Sequence, residues 1–133
     1  MSGARDQIGT LVRDAPIAVD EKLTLRTLAA VLAADQIGAA LVERADGTIG
    51  IVSERDIMRA LADDADPDVV WSADVMTEPL VEVRTDESVI AVADRMIDKG
   101  IRHVAVVDGD GIVGVVSLRE VSRVLASELR DSW

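Results

Sequence analysis

Cysteine and most aromatic residues are absent from this chain of 133 residues, which has no Cys, Tyr or Phe and only two Trp. The lack of cysteine excludes disulfides, thiolate nucleophiles and zinc–sulfur sites. The scarcity of aromatic side chains leaves no surface on which successive bases could stack. Apolar residues still make up 49% of the chain, so we expect a core of Val, Ile, Leu, Ala and Met.

Positive charge is also scarce, because 14 basic residues stand against 25 acidic ones and the net charge is −11. An acidic surface repels nucleic-acid phosphates, and without a basic run the chain has no electrostatic anchor for a membrane. Residues Met1–Asp6 contain no apolar signal core, and no segment reaches transmembrane length. We therefore expect a cytoplasmic protein that binds neither nucleic acid nor membrane.

The most informative feature is an internal repeat. When Ile37–Ala62 is laid on Ile101–Ala126 without a gap, eleven of 26 positions are identical, whereas average composition gives roughly two by chance. We call this superposition, extended along the whole chain at the same offset of 64 residues, the repeat alignment. Most of its remaining positions keep their residue type, as in Ile51 and Val115. Such a repeat indicates two copies of one supersecondary unit, each too small to bury its own apolar face.

Each copy has the pattern of a strand, a helix, two further strands and a second helix. Thr24 and Ser88 are suited to cap the first helix of each copy, and Gly100 stands where a left-handed C-cap is expected. The turns Asp46-Gly47 and Asp110-Gly111 offer the positive φ that a hairpin needs. The predicted strands are Pro16–Val19, Ala39–Glu43 and Ile49–Val52 in the first copy, and Pro79–Val83, Val104–Val107 and Ile112–Val116 in the second.

An acidic, proline-containing segment, Asp63–Asp68, separates the copies. We interpret it as a solvated linker, with cation binding as the alternative, and place the domains at residues 1–65 and 66–133. The first connection of each copy should be a parallel, right-handed crossover and the second a hairpin. The predicted fold class is α/β with mixed sheets, and Val69–Met76 is expected to begin the second domain.

These motifs resemble the CBS domain, named for cystathionine beta-synthase. The most specific pieces are Gly50–Asp56 and Ile101–Asp108, and the resemblance covers about Ile8–Leu129 in two copies. It implies a Bateman module, in which two β-α-β-β-α units pack sheet to sheet about a pseudo-twofold axis. It also implies two clefts for adenosine-containing ligands and further pairing into a homodimer.

An adenine nucleotide requires an acceptor for its ribose hydroxyls and a positive receptor for its phosphate. The resemblance gives Asp56 the ribose and Ser53 a phosphate or ribose contact, at the N-terminus of a helix. Arg55 stands beside them, close enough to reach a phosphate, and the alternative is a salt-bridged arginine on the surface of the helix. The spacing of Ser53 and Asp56 is equally that of a capping box, so the sequence leaves both roles open.

The resemblance also assigns Arg102 and His103, which would reach from the second unit to the phosphate of a ligand held by the first. The alternative is a surface arginine and a partly packed histidine. In the mirror cleft, Glu120 replaces the aspartate, and Gly38 and Ala39 replace the cations. We therefore expect one competent site, with the second cleft empty or weakly occupied by an uncharged nucleoside.

The adenine ring is expected near four apolar residues, for each of which ordinary core packing is the alternative. They are Ile17, Ala18, Ala40 and Ile51.

The sequence therefore predicts a regulatory sensor that needs no cofactor or metal and binds AMP, ATP, NAD or S-adenosylmethionine. Two cations neutralise the charge of AMP more easily than that of ATP. The alternative function is a protein-interaction or dimerisation module with vestigial clefts. An enzyme is not expected, because the chain has one His, no Cys and no glycine-rich phosphate loop.

Overall fold

The structure, a computed structural model, describes residues 3–109 and 111–131, and in that part of the chain it forms two three-stranded sheets. The first sheet consists of β1 (Ala18–Asp20), β2 (Ala39–Glu43) and β3 (Ile49–Ser53), and the second of β4 (Glu82–Arg84), β5 (His103–Asp108) and β6 (Gly111–Ser117). The helices are a 3-10 helix at Ile8–Leu11, α1 (Leu25–Asp35), α2 (Glu54–Ala62), α3 (Ser72–Val75), α4 (Val89–Lys99) and α5 (Leu118–Asp131).

Both sheets have the same topology, and their parallel strand pairs have the same register. β1 is parallel to β2 and β4 to β5, whereas β2–β3 and β5–β6 are antiparallel. Ala18 pairs with Leu41 in the first sheet and Glu82 with Ala105 in the second, and these two pairs are counterparts in the repeat alignment. The predicted repeat, the parallel pairing across the first connection, the hairpin and the mixed α/β class are confirmed.

The predicted helix caps are confirmed as well. The Thr24 side chain accepts a hydrogen bond from the Thr27 amide, and that of Ser88 accepts one from the Ala91 amide. Gly100 ends α4 in the left-handed region at φ 65°, where glycine carries no steric penalty. Gln36, its counterpart in the first copy, ends α1 in the same conformation at φ 54°.

The first hairpin turn has the predicted conformation, and the Asp110-Gly111 turn of the second copy stays a prediction. Gly47 has the expected positive φ of 88°, and in the second hairpin Gly109 has a positive φ of 59°. Asp108 pairs with Gly111 across a short loop, and the register shifts at Val106/Val107. Gly111 is thereby drawn into β6, and the first loop residue takes the left-handed conformation. Asp110 lies outside the described residues.

Residue contacts divide the chain into two compact units, which do not coincide with the two sequence repeats. We call Ile17–Leu80 unit A, and we call Pro16 and the residues before it, together with Val81 and the residues after it, unit B. The buried core of unit A is Leu28, Leu32, Ala40, Val42, Val52 and Ile57. The core of unit B contains Ile8 and Leu11 in addition to residues of β4–β6, α4 and α5.

The first segment of each repeat therefore packs in the unit built mainly from the other repeat. In unit B, the Ile8 amide donates to the Glu87 carbonyl (2.7 Å); in unit A, the Ser72 amide donates to the Leu23 carbonyl (2.7 Å). In the repeat alignment Ser72 is the counterpart of Ile8, and Glu87 is that of Leu23. Two further pairs of backbone hydrogen bonds are related in the same way. The Gly9 amide donates to the Thr85 carbonyl as the Ala73 amide does to Glu21, and the Val89 amide donates to the Asp6 carbonyl as the Leu25 amide does to Val70.

The boundary between the sequence repeats therefore differs from the boundary between the two units defined by contacts. The division at residues 65 and 66 was predicted from the repeat in the sequence, and as a domain boundary it stays a prediction. By contact, Val69–Met76 belongs to unit A: Trp71 forms a β-bridge with Thr24, and Ala73, Val75 and Met76 pack against the core of that unit. The spacing of a repeat does not show which copy its first segment packs against, because packing against either copy leaves the spacing the same.

Candidate functional site

Ser53 and Asp56 lie together at the start of α2 and form a capping box. The Asp56 carboxylate accepts from the Ser53 amide (2.8 Å) and the Ser53 hydroxyl (3.1 Å), both at Oδ2. The Asp56 amide donates in return to Ser53 Oγ (3.3 Å). The capping role that the spacing left open is therefore present, and it fixes the carboxylate at the helix N-terminus, where backbone amides and the helix dipole favour negative charge.

The cap leaves part of the Asp56 carboxylate available. Both of its hydrogen bonds within residues 3–109 and 111–131 use Oδ2, so Oδ1 keeps its acceptor capacity. The side chain is half-buried, as are those of Ser53 and Arg55. In the described part of the chain no ion pair holds the Arg55 guanidinium. A carboxylate oxygen and a guanidinium thus stand on adjacent residues of one helix turn without neutralising each other.

The four residues expected around the adenine ring do not share one environment. Ala40 is fully buried in the core of unit A, with Val42 and Val52, so its side chain offers no contact surface. Register pairs Ala18 with Leu41, and Leu41 with Ile51, which places all three on the opposite face of the sheet. Ser53 lies on that face as well, opposite Ala39.

Ile17, the fourth of these residues, lies at the sheet edge immediately before β1. It is 36% exposed, and its carbonyl accepts from the Leu41 amide (2.9 Å). Unit A therefore brings Ala18, Ile51 and Ser53 to one face, with Ile17 at its margin and Asp56 at the start of the helix that follows Ser53.

Arg102 and His103 lie in unit B, at the start of β5. Arg102 is exposed, and its carbonyl accepts from the amide of Leu118 (2.7 Å), the first residue of α5. His103 is half-buried and pairs across the hairpin with Ser117. Arg102 and His103 thus stand beside the N-terminus of α5 within their own unit. Their convergence with Asp56 on one ligand stays a prediction.

Ser117 and Glu120 repeat the geometry of Ser53 and Asp56. Glu120 Oε1 accepts from the Ser117 amide (3.1 Å) and the Ser117 hydroxyl (3.0 Å), and the Glu120 amide donates to Ser117 Oγ (3.2 Å). Although glutamate has an extra methylene, its carboxylate still reaches both Ser117 donors, so both acids complete a capping box. The two helix starts therefore differ in the length of the carboxylate side chain and in the residues of the adjacent loop.

Sequence reasoning did not find the link between each helix start and the loop before the central strand. The Glu54 amide donates to the Gly38 carbonyl (2.9 Å), as the Leu118 amide does to Arg102. This link sets residues 38–39 beside Ser53, and residues 102–103 beside Ser117. The sequence does show that Ser53 and Ser117 are identical in the repeat alignment. The strand register is needed to show which loop lies beside each serine.

Other features of the described residues add no site. No group of three or more His, Asp or Glu within residues 3–109 and 111–131 is arranged to hold a metal ion.

In the acidic segment, Asp68 pairs with Arg26 (Nε–Oδ1, 2.5 Å), and the Arg26 hydrogen bond lowers the pKa of Asp68. Among the residues that the structure describes, no helix is long and apolar enough to cross a membrane.

The family model of the CBS domain matches this chain twice, at residues 8–63 and 72–127. The chain belongs to the CBS domain family. The two matches correspond to the two sequence repeats, so the chain is a tandem CBS-domain protein, and we refer to it below as the CBS pair.

Solved structures share this fold. The CBS pair is 30% identical to a CBS domain protein of Pyrobaculum aerophilum complexed with AMP; the match covers 93% of this chain and 98% of that one, with a TM-score of 0.79. A conserved CBS domain protein of Thermoplasma acidophilum is 26% identical over 96% of this chain and 74% of that one, with a TM-score of 0.83.

Curated relatives are longer than the matched region. An uncharacterized protein of Methanopyrus kandleri is 34% identical over 86 residues, which are 63% of this chain and 44% of that protein. An uncharacterized protein of Acidianus ambivalens is 31% identical over 64% of this chain and 51% of its own length. The chain thus spans about half the length of the curated relatives it matches.

Proposed function

We propose that the CBS pair is a regulatory module that binds an adenine nucleotide, with AMP as the preferred ligand. The observation that carries the proposal is the AMP of the Pyrobaculum aerophilum relative, which is 30% identical over 93% of this chain. The Asp56 carboxylate, fixed by its cap and with Oδ1 available, supports the assignment of the ribose to this residue. Ser53 and Arg55 stand next to it.

The charge of the protein favours a ligand with few phosphates. On a chain with a net charge of −11, an anion is held only where local cations outweigh the long-range repulsion. The candidates are Arg55, Arg102 and His103. We propose that Arg102 and His103 contact the phosphate of the ligand whose ribose is held by Asp56, and that this is the one competent site.

The second site of the pair is proposed to be weak. Its carboxylate would be Glu120, whose longer side chain shifts the acceptor by about 1 Å relative to an aspartate, and hydrogen bonds weaken steeply with such displacements. Gly38 and Ala39 would stand in place of the two cations. An uncharged nucleoside is the ligand that this site would tolerate.

Isothermal titration calorimetry tests the proposal directly. The protein is first examined by native mass spectrometry, so that any nucleotide retained through purification is detected and removed. AMP, ATP, NAD, S-adenosylmethionine and adenosine are then titrated, with GMP as the control for base recognition. We expect AMP to bind with a stoichiometry of one per chain and more tightly than ATP. Folded, ligand-free protein that gives no heat with any adenine compound would overturn the proposal.

The second candidate function is a protein-interaction or dimerisation module without a ligand. The capping box favours it, because Ser53 and Asp56 satisfy each other without any bound molecule. This function predicts a homodimer and an Asp56→Ala variant that changes stability alone. Under either function we propose that the protein catalyses no reaction and acts in the cytoplasm, which incubation with each nucleotide and cell fractionation would check.

A further inference from the structure

The first segments of the two repeats occupy equivalent positions in their units, but one buries apolar side chains where the other buries a serine. We call residues 3–12 the leading strap and residues 67–77 the middle strap. The leading strap inserts Ile8 and Leu11 into the core of unit B, with exposures of 0% and 8%. At the position of Ile8, the middle strap has the buried Ser72, whose hydroxyl donates to the Leu23 carbonyl (2.7 Å).

Each strap also closes over a glycine of the last strand in its unit. Val12 of the leading strap lies on Gly114 of β6, and Met76 of the middle strap lies on Gly50 of β3. Both straps satisfy backbone groups at the start of the first helix, through Asp6 and Val89 in unit B and through Val70 and Leu25 in unit A. Each unit thus depends on its own strap for core filling and for capping of backbone donors.

We infer that the straps are two separate latches, so that release of the leading strap loosens unit B and leaves unit A closed. Residues 3–12 precede unit A in the sequence, yet their packing and hydrogen bonds lie in unit B. Movement of this strap therefore acts on the sheet that carries Arg102 and His103. This device does not depend on nucleotide binding.

Hydrogen–deuterium exchange of the full chain, without nucleotide and near neutral pH, tests the inference, because local opening frees the amides of the affected unit. Leu11→Ala in the leading strap is compared with Val75→Ala, its counterpart in the repeat alignment. We expect Leu11→Ala to raise exchange of the β4–β6 and α4 amides at least tenfold, with less than a threefold change in β1–β3 and α1. Val75→Ala should show the opposite distribution.

A milder matched pair covers the case in which Leu11→Ala does not fold. Val12→Ala and Met76→Ala remove the side chains over Gly114 and Gly50 and leave the strap backbone bonds in place. We expect a several-fold rise in exchange in β6 for the first variant and in β3 for the second. Faster exchange of β1–β3 in Val12→Ala, or an equal rise in both units for both variants, would show that the straps are not separate latches.

Discussion

Gly114 lies directly beneath the side chain of Val12, at a distance that leaves no room for a methyl group. A Cβ built on Gly114 would stand 2.5 Å from Val12 Cγ1, and one built on Gly50 would stand 2.7 Å from the sulfur of Met76. The two contacts are equivalent in the repeat alignment, so the small residue is required by the same neighbouring position in both units.

Substituting either of these glycines by alanine should destabilise the protein. We expect Gly114→Ala to lower the unfolding free energy by roughly 1–3 kcal/mol, the usual cost of overpacking, because the β-branched Val12 has few rotamers in which to move away. Gly50→Ala should also destabilise the protein: Met76 is flexible, but the backbone carbonyl oxygen of Thr77 stands 3.0 Å from the same Cβ. Chemical denaturation measures both.

The double variant Gly114→Ala/Val12→Ala is the control for this contact. It should recover part of the loss, as a double-mutant cycle requires for residues in direct contact. A Gly114→Ala variant as stable as the unsubstituted protein would contradict the close approach.

The two capping acids offer a matched pair that separates stability from ligand binding. Asp56→Ala and Glu120→Ala each remove a carboxylate that accepts two hydrogen bonds from a serine. We expect each to lower the unfolding free energy by roughly 0.5–2 kcal/mol, as for other caps. AMP affinity, measured by calorimetry, should fall at least tenfold in Asp56→Ala alone. An equal loss in both variants would place the ribose elsewhere.

The phosphate assignment predicts a charge-selective effect. Arg102→Ala should weaken AMP binding by about 10- to 100-fold, which corresponds to the roughly 1.5–3 kcal/mol of a hydrogen bond to a charged group, and leave adenosine binding unchanged. Arg123→Ala removes another exposed arginine, from α5, and serves as the control. If both variants weaken AMP binding to the same small extent, Arg102 acts only through net charge.

Glu87 should make the stability of unit B depend on pH in the acid range. The Arg95 guanidinium donates a hydrogen bond to the Glu87 carboxylate and lowers its pKa below the ordinary value of 4.5. The stabilisation is therefore complete above the unfolded-state pKa and is lost as the pH falls through the lower, folded-state pKa.

The Glu87→Gln variant isolates this contribution. We expect it to be less stable than the unsubstituted protein at pH 7 by about 1 kcal/mol or less, with the two stability curves converging below pH 4.5. Thermal denaturation between pH 3 and 7 measures this, with the exposed Glu82→Gln as control. Curves that stay parallel over this range would show that the pair with Arg95 contributes nothing.

Local elements could be predicted from the sequence because their signals are local. Thr24, Ser88 and Gly100 cap helices through groups within a few residues of themselves, and strand positions follow from short apolar runs. The pairing of Asp56 with Ser53 was likewise visible as a spacing. The 3-10 helix at Ile8–Leu11 was not predicted, because it forms by contact with Thr85–Glu87 in the far half of the chain.

In the candidate site, too, the local motif could be predicted from the sequence and the packing could not. The positions of Ser53 and Asp56 on a helix start follow from the motif, but the burial of Ala40 depends on which sheet face packs against α1 and α2. An apolar run that is buried on both faces, as in β2, carries no alternation to reveal this.

The reciprocal packing of the leading segments also decides how a CBS unit should be cut for transfer into another protein. A graft ending near residue 65 would carry Ile8 and Leu11 away from the core they fill and would leave Ser72 and Met76 behind. Ile17–Leu80 is the continuous stretch that keeps its own covering residues, so a chimera built on these ends inherits a complete interior, whereas one built on the repeat ends inherits an uncovered one.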